Sequence, residues 1–238
     1  MKNTEIEIAK LEGIALEVIR VLYGRFENFP EDSADNRNAP FHEAFLKAFA
    51  NKISEKVERD IPYFISLSSW LHGLNTTLGQ TFFENVAHIL SDGGKREFTQ
   101  AKQAGLSITS AQREIISTIV SDLKNNNRTP NMELEDVALE QVSRAGKNIE
   151  AQDFTVDNFV EGDTFIEAIE LKTVRPNAGQ MQSEKGKILS AKAALRKKYP
   201  DKKVSYYFGF PFDPWNNTST GFDKNAILES RYRGFKIS

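Results

Sequence analysis

Hydrophobic residues recur every three or four positions along most of the first half of the chain, which is the spacing of amphipathic helices. The first predicted helix ends before residues 30–40, where Pro, Asp and Asn interrupt the pattern. Further helices are predicted at about 41–58, 62–72, 76–91, 109–125 and 133–143. The first half of the sequence is therefore expected to be largely helical.

The pattern changes after residue 148, where hydrophobic and polar residues alternate. Residues 149–160 and 164–173 are predicted to form two strands, joined by a hairpin turn at Gly162 and Asp163. The elements expected next are a helix at about 183–199 and a strand at about 204–210. This order predicts an α/β core that follows an N-terminal helical region.

The length of 238 residues favours one continuous domain, with a helical region at 1–75 and a core with a C-terminal extension at 76–238. The chain has no Cys, which excludes disulfides, thiolate zinc sites and cysteine nucleophiles, and it has only three His. It has no apolar run long enough for a membrane span or a signal peptide, so we expect a cytoplasmic protein. Its site chemistry should therefore depend mainly on carboxylates.

The net charge of −2 argues weakly against a protein that coats DNA through bulk electrostatics. Basic residues are instead concentrated at 184–203, where eight Lys or Arg stand against two acids. Such a segment can contact a polyanion, and a solvated helix face is an equally good interpretation of it.

The hairpin predicts a cluster of charged side chains. If Gly162 and Asp163 form a two-residue turn, the ladder pairs Asp157 with Ala168, Thr155 with Glu170 and Asp153 with Lys172. Side chains alternate along strands, so all the charged members would share one face. The opposite face would carry the residues that pack, namely Phe154, Val156, Ile169 and Leu171.

Clustered carboxylates repel one another, so a fold keeps them together for a cation or for a function. Ligands that offer only oxygen atoms favour Mg²⁺, and a neighbouring lysine can orient a water or stabilise charge on phosphate. The cluster therefore predicts hydrolysis of phosphodiesters. An ordinary ion pair on an exposed sheet is the alternative interpretation of Glu170 and Lys172.

The same residues resemble the PD-(D/E)xK nuclease superfamily: Asp157 is followed on the next predicted strand by Glu170-Leu171-Lys172. The surrounding sequence, about 148–215, resembles type II restriction endonucleases, most nearly a TdeIII-like family. The resemblance implies a restriction-endonuclease-like core, in which a central mixed sheet is flanked by helices. Val156 stands where the superfamily has proline, so Asp153 and Asp163 remain alternatives to Asp157 as the first acid.

The resemblance also implies catalytic roles. Asp157 and Glu170 would bind Mg²⁺ together with the Leu171 carbonyl, and Lys172 would orient the attacking water. The products would carry a 5′-phosphate and a 3′-hydroxyl. Glu84, on the predicted helix 76–91, would reach the metal through a water, or else is a solvated helix acid.

Residues after the catalytic strand are candidates for contacts with DNA. Those able to read base edges are Arg175, Asn177, Gln180 and Gln182, although an ordinary polar loop explains them equally well. Lys187, Lys192 and Arg196 could contact phosphate. Lys185 is included because it lies close to the site in sequence.

The expected function is that of a Mg²⁺-dependent type II restriction endonuclease acting on a short double-stranded DNA site, of the GGNCC kind if the resemblance extends that far. Two strands require two active sites, which favours a C2 homodimer, and a cognate DNA methyltransferase would act on the same site. Two alternatives remain open: a structure-specific repair or recombination nuclease of the same superfamily, and a helical nucleic-acid-binding module without catalysis.

Overall fold

Helices fill the first part of the chain, as the sequence pattern predicts. The structure is a computed structural model that describes residues 2–27, 39–54, 61–99, 105–172 and 178–210. Its first helices are α1 (Lys2–Phe26), α2 (Ala39–Ala48), α3 (Ala50–Ser54), α4 (Ile61–Thr77) and α5 (Phe83–Ser91). A π-helical segment, Leu78–Phe82, joins α4 to α5, so the two helices predicted at 62–72 and 76–91 form one nearly continuous rod. The helix predicted at 41–58 is divided into α2 and α3, and its last residues lie outside the described ones.

The chain divides into two compact units, Met1–Leu90 and Ser91–Ser238. In the first unit, Trp70 of α4 fixes the end of α1: its indole N–H donates to the Arg25 carbonyl at 2.7 Å. The Arg25 guanidinium donates in return to the Trp70 carbonyl at 2.8 Å. The sequence places the boundary after residue 75, and the expectation that both regions form one continuous domain stays a prediction.

The second unit contains all the described strands. They are β1 (Gly94–Phe98), β2 (Ser107–Thr109), β3 (Asn148–Glu150), β4 (Phe154–Glu161), β5 (Phe165–Leu171) and β6 (Lys203–Gly209). Its helices are α6 (Ser110–Lys124), α7 (Met132–Gln141) and α8 (Ala178–Lys198). The sequence pattern does not predict β1 and β2, and the strand predicted at 149–160 is divided into β3 and β4, which belong to different sheets.

The larger sheet has the strand order β1-β4-β5-β6. The first two pairings are antiparallel and the β5–β6 pairing is parallel, so the sheet is mixed. Helix α8 makes the crossover that a parallel pair requires. The fold is thus α/β, with a mixed sheet flanked by helices, as expected at this level.

The hairpin register differs from the predicted one by two residues. Glu161 pairs with Ile166 and Phe159 pairs with Ala168, because the connection at residues 162–165 has four residues rather than two. The Gly162 N–H closes this connection by donating to the Phe165 carbonyl at 3.0 Å. Continued by the same step, the ladder sets Asp157 directly opposite Glu170. A shift of two residues preserves the side-chain faces.

An extra residue in β4 changes which side chains pack. Gly94 of β1 pairs with Phe159 of β4, and Arg96 pairs with Val156. An interval of two residues on β1 therefore lies opposite an interval of three residues on β4. Phe154 consequently lies on the same side as Phe159: the Phe98 ring lies 4.8 Å from the Phe154 ring and 5.6 Å from the Phe159 ring.

The predicted packing face is therefore wrong for β5. Ile166, Ala168 and Glu170 are its buried residues, whereas Ile169 and Leu171 are half-buried. The acids Asp157 and Glu170 lie on the packed face of the sheet. Phe154 and Val156 lie on the same face, because the extra residue between Val156 and Phe159 reverses the alternation of side chains along β4.

Helix α8 forms the centre of the core. Its small and aliphatic residues are buried on several sides, and they pack with α6 and the sheet: Ile188, Leu189, Ala191, Ala193, Ala194 and Leu195. None of the described helices is both long and apolar enough to cross a membrane.

Candidate active site

Two acids meet where β4 and β5 run side by side. The Leu171 N–H donates to Asp157 Oδ2 at 2.8 Å, so the Asp157 carboxylate lies against the end of β5. Glu170 is the preceding residue on β5 and is only 6% exposed. Of the alternative first acids, Asp153 is exposed before β4 and Asp163 is exposed in the connection at 162–165.

Two lysines bind the same oxygen of Glu170. Lys172 Nζ lies 2.8 Å from Glu170 Oε1, and Lys187 Nζ lies 2.9 Å from it. Lys172 follows the end of β5, whereas Lys187 comes from α8. The buried charge of Glu170 is thus compensated by two ammonium groups, as a buried carboxylate requires.

Glu184, one turn before Lys187 on α8, is a further acid of this cluster. Its Oε1 lies 3.0 Å from Lys172 Nζ, and its Oε2 lies 3.7 Å from Lys187 Nζ. Glu184 is not among the site residues predicted from the sequence. The available signal was its spacing of three residues from Lys187, which places both side chains on one side of a helix.

Tyr206 of β6 completes the surroundings of Glu170. Its hydroxyl lies 3.5 Å from Glu170 Oε2, and the residue is buried. Burial, together with the negative charges of Glu170, Glu184 and Asp157, raises the pKa of the Tyr206 hydroxyl. Tyr206 therefore acts as a neutral donor at physiological pH. Tyr206 is not among the site residues predicted from the sequence.

Lys172 remains an ammonium ion in this arrangement. Burial favours its neutral form, but the hydrogen bonds and charges of Glu170 and Glu184 outweigh burial and raise the pKa of Lys172 above its ordinary value. A protonated lysine can orient a water or stabilise negative charge on a phosphate.

The cluster offers oxygen atoms suited to a hard cation. Asp157, Glu170 and Glu184 carry three negative charges and the two lysines carry two positive ones, which leaves one negative charge. Within the described ranges, no three Asp, Glu or His side chains approach closely enough to hold a metal by themselves. Mg²⁺ needs only one or two carboxylates beside waters and substrate oxygens, so Asp157, Glu170 and the Leu171 carbonyl fit such an ion.

The remaining predicted site residues lie in different places. Glu84 is half-buried on α5, in the first compact unit. Gln182 is half-buried on α8, and Gln180 lies in the first turn of α8, where side chains are not among the described ones. Arg175 and Asn177 lie outside the described residues.

Lys185 is bound inside the protein and not at its surface. It is 2% exposed, and its Nζ donates to the equally buried Glu135 of α7 at 2.5 Å. Its ammonium group is therefore not available to a DNA phosphate, and we leave Lys185 out of the proposed DNA contacts.

Two further basic residues of α8 also have internal partners. Lys192 and Arg196 both bind Asp136 of α7, at 2.5 and 2.7 Å. Much of the basic segment thus joins α8 to α7, whereas the charge pattern alone suggested contact with a polyanion or a solvated face.

Comparison with known proteins gives two matches that agree. A family model described as "Type II restriction endonuclease, HinfI" matches residues 9–226. The type II restriction enzyme MjaII of Methanocaldococcus jannaschii is 45% identical over 223 residues, which cover 92% of this chain. The aligned region spans 59% of that relative's own length. No solved structure matches significantly.

Proposed function

Because the chain belongs to the HinfI family of type II restriction endonucleases, we propose that it hydrolyses phosphodiester bonds at a specific short site in double-stranded DNA. The observation that carries the proposal is the position of Asp157, within β4, against the end of β5, where Glu170 and Lys172 are hydrogen-bonded to each other. The similarity to MjaII over most of the chain supports the same activity. The narrower resemblance to TdeIII-like enzymes stays a prediction.

The cluster supports a PD-(D/E)xK type of site. Asp157, Glu170 and the Leu171 carbonyl would hold Mg²⁺, with Asp157 as the first acid because its carboxylate contacts the end of β5. A bound divalent ion supplies positive charge that stabilises the transition state of phosphate hydrolysis. Lys172, as an ammonium ion, orients the water and stabilises charge on the phosphate, and the products carry a 5′-phosphate and a 3′-hydroxyl. The role of Glu84 as a further acid stays a prediction.

Contacts with DNA are assigned to residues around the start of α8. Arg175, Asn177, Gln180 and Gln182 follow the catalytic strand, and their side-chain types can read base edges. Lys187 belongs to the active-site cluster, where it can meet the scissile phosphate rather than a distant one.

The partners proposed for this enzyme follow from its activity. Cutting both strands of a two-fold symmetric site is simplest for a homodimer. Hydrophobic residues exposed along α1, such as Leu11 and Leu22, support an interface between the two subunits of this homodimer. A cognate methyltransferase would protect the same site in cellular DNA, and the expected location of the enzyme is the cytoplasm.

The test is digestion of plasmid DNA with Mg²⁺, followed by sequencing of the fragment ends. We expect discrete fragments whose ends share one short sequence, and sites of the GGNCC kind are the first to compare. Lys172→Ala should abolish cleavage. Lys202→Ala is the matched control, because Lys202 binds Glu161 outside the cluster. A continuous smear would indicate a nuclease without sequence specificity, and uncut DNA under all conditions would contradict the proposal.

A further inference from the structure

One oxygen of Glu184 is buried without a hydrogen-bond partner. This atom, Oε2, accepts no hydrogen bond from any residue that the structure describes, and the ammonium group of Lys187 lies 3.7 Å away from it. Leaving a buried carboxylate oxygen unpaired costs free energy, and native proteins rarely do so without a reason. The carboxylate of Glu184 belongs to the active-site cluster, because its other oxygen binds Lys172 at 3.0 Å.

Glu170 differs from Glu184 in that one of its oxygens has two hydrogen-bond donors. Its Oε1 accepts hydrogen bonds from Lys172 and Lys187 at the same time. An oxygen surrounded by two ammonium groups is poorly placed to bind a cation, since like charges would be brought together. If Glu170 is a metal ligand, as the proposed function requires, both ammonium groups need another acceptor when the ion binds.

We infer that Glu184 is a positioning residue, which receives the ammonium groups of Lys172 and Lys187 when Glu170 turns to the metal ion. This inference rests on the proposed function. Lys172 already binds Glu184, and a movement of roughly 0.5–1 Å brings Lys187 Nζ within hydrogen-bond distance of Glu184 Oε2. Glu184 thereby keeps Lys172 beside the reacting water and keeps Lys187 beside the phosphate.

The charge of the cluster supports this role. Its net charge of −1 becomes +1 with a divalent ion, and the single negative charge of a phosphodiester then neutralises it. Neutralising Glu184 adds one positive charge beside the ion, so metal binding weakens. Neutralising Lys187 removes a positive charge and a competitor for Glu170, so metal binding strengthens.

The test compares Glu184→Gln and Lys187→Gln in the full chain. Binding of Mn²⁺ is measured by titration calorimetry without DNA, and kcat and KM are measured on plasmid with Mg²⁺. We expect Glu184→Gln to weaken metal binding and to lower kcat by about 10- to 100-fold. This is the usual effect of removing a residue that orients the groups around a bound metal ion. KM should change little, and Glu184→Asp should recover part of the loss.

Lys187→Gln should strengthen metal binding while it lowers kcat. A residue that only supports the fold would not give opposite changes in metal affinity at two positions of one helix. Glu161→Gln is the matched control, because Glu161 also pairs with a lysine but outside the cluster. If Glu184→Gln does not fold, the increase in affinity with Lys187→Gln still decides the question.

The outcomes separate the two proposals. A wild-type protein that cleaves DNA, with a Glu184→Gln variant equal to it in metal binding and kcat, overturns the role of Glu184 alone. Unchanged or weaker metal binding in a folded Lys187→Gln variant overturns it as well. A wild-type protein that shows no Mg²⁺-dependent cleavage overturns the proposed function.

Discussion

Glu170 is held by side chains from three separate elements. Lys172 follows the end of its own strand, Lys187 comes from α8 and Tyr206 from β6. A carboxylate at 6% exposure would carry a large desolvation penalty without such partners. Three side chains thus contact one buried acid, which is expected of a functional group rather than of a packing residue.

Replacing Glu170 by Gln should abolish Mg²⁺-dependent cleavage. The change removes one of the two carboxylates that fit the metal, and such an ion contributes several kcal/mol to transition-state stabilisation. We expect a rate loss of at least about a thousandfold, since each ~1.4 kcal/mol is tenfold.

The matched control for this substitution is Glu167→Gln. Glu167 lies on the same strand, but alternation directs it to the other face. Cleavage rates of both variants on plasmid decide the prediction. An active Glu170→Gln variant would exclude Glu170 as a metal ligand.

The sequence alone could predict part of this site. Alternation along two neighbouring strands is a local property, so it suffices to bring Asp157, Glu170 and Lys172 to one region, even with a register error of two residues. The spacing of Glu184 from Lys187 shows only that the two share one side of a helix. That Glu184 and Tyr206 face Glu170 could not be predicted, because their positions depend on how α8 and β6 are rotated against the sheet. That rotation is set by tertiary packing, which a single sequence does not reveal.

At the scale of elements, α8 is attached to α7 by buried charges. Lys185 pairs with Glu135, and Asp136 binds both Lys192 and Arg196. These pairs hold the helix that presents Glu184 and Lys187 to the sheet. The charge pattern of α8 was consistent with a polyanion-binding surface because a sequence shows the number of basic residues but not their partners.

The Glu135–Lys185 pair should show strong coupling in a double-mutant cycle. Glu135→Leu or Lys185→Met alone leaves a buried charge without its partner in this ion pair, so each should lower the free energy of unfolding by about 3–5 kcal/mol. The double variant should regain much of that loss, because neither charge remains. Urea unfolding of the four proteins measures the cycle. Additive losses in the double variant would contradict the pairing.

Stability should fall in acid partly through Asp136. Burial raises the pKa of this carboxyl, but hydrogen bonds from Arg196 and Lys192 outweigh burial and hold the pKa below its ordinary value of 3.8. The unfolded state therefore binds more protons in acid, so the stabilisation is present above pH 3.8 and is lost as the pH falls towards the lowered value.

Asp136→Asn tests this dependence on pH. The variant should be less stable than the wild type at pH 7 by about 1–3 kcal/mol, because a charged hydrogen-bond partner is lost. The difference should shrink as the pH falls. Urea unfolding at several pH values gives both quantities, and a difference that stays constant with pH would contradict the assignment.

At the scale of the whole molecule, the first unit exposes much of its hydrophobic surface. On α1, Leu11 is 65% exposed and Tyr23 is 67% exposed. Ile8, Leu11, Ala15, Val18 and Leu22 follow one another at alternating spacings of three and four, which is the pattern of helices that pair. Exposed hydrophobic surface of this kind is typical of protein interfaces.

Introducing charge on this surface should convert the proposed dimer into monomers. We expect the double variant Leu11→Glu and Leu22→Glu to sediment as a monomer and to nick plasmid DNA faster than it linearises it, since each monomer has one active site. Glu7→Gln on the same helix is the control. Sedimentation velocity measures the change, and a monomeric wild type at micromolar concentration would contradict the interface.

The general architecture was easier to predict than its details. The change from helical spacing to alternation after residue 148 was sufficient to predict an α/β core. The pattern does not predict β1 because its sequence, GKREF, has a single hydrophobic residue, and it does not predict β2 because three residues are too few for a periodic signal. The division of the predicted strand 149–160 depends on β3 pairing with β2, which is a contact distant in sequence.

The extra residue that β4 carries opposite β1 limits how natural variation can alter this strand. Deleting one residue between Val156 and Phe159 would either turn the Asp157 carboxylate away from β5 or turn Phe154 and Val156 out of the core. Residues 162–164 lie between β4 and β5 and belong to neither strand, so a change in the length of this connection leaves both strands intact. Insertions and deletions among relatives should therefore accumulate in the connection and spare the strand before it.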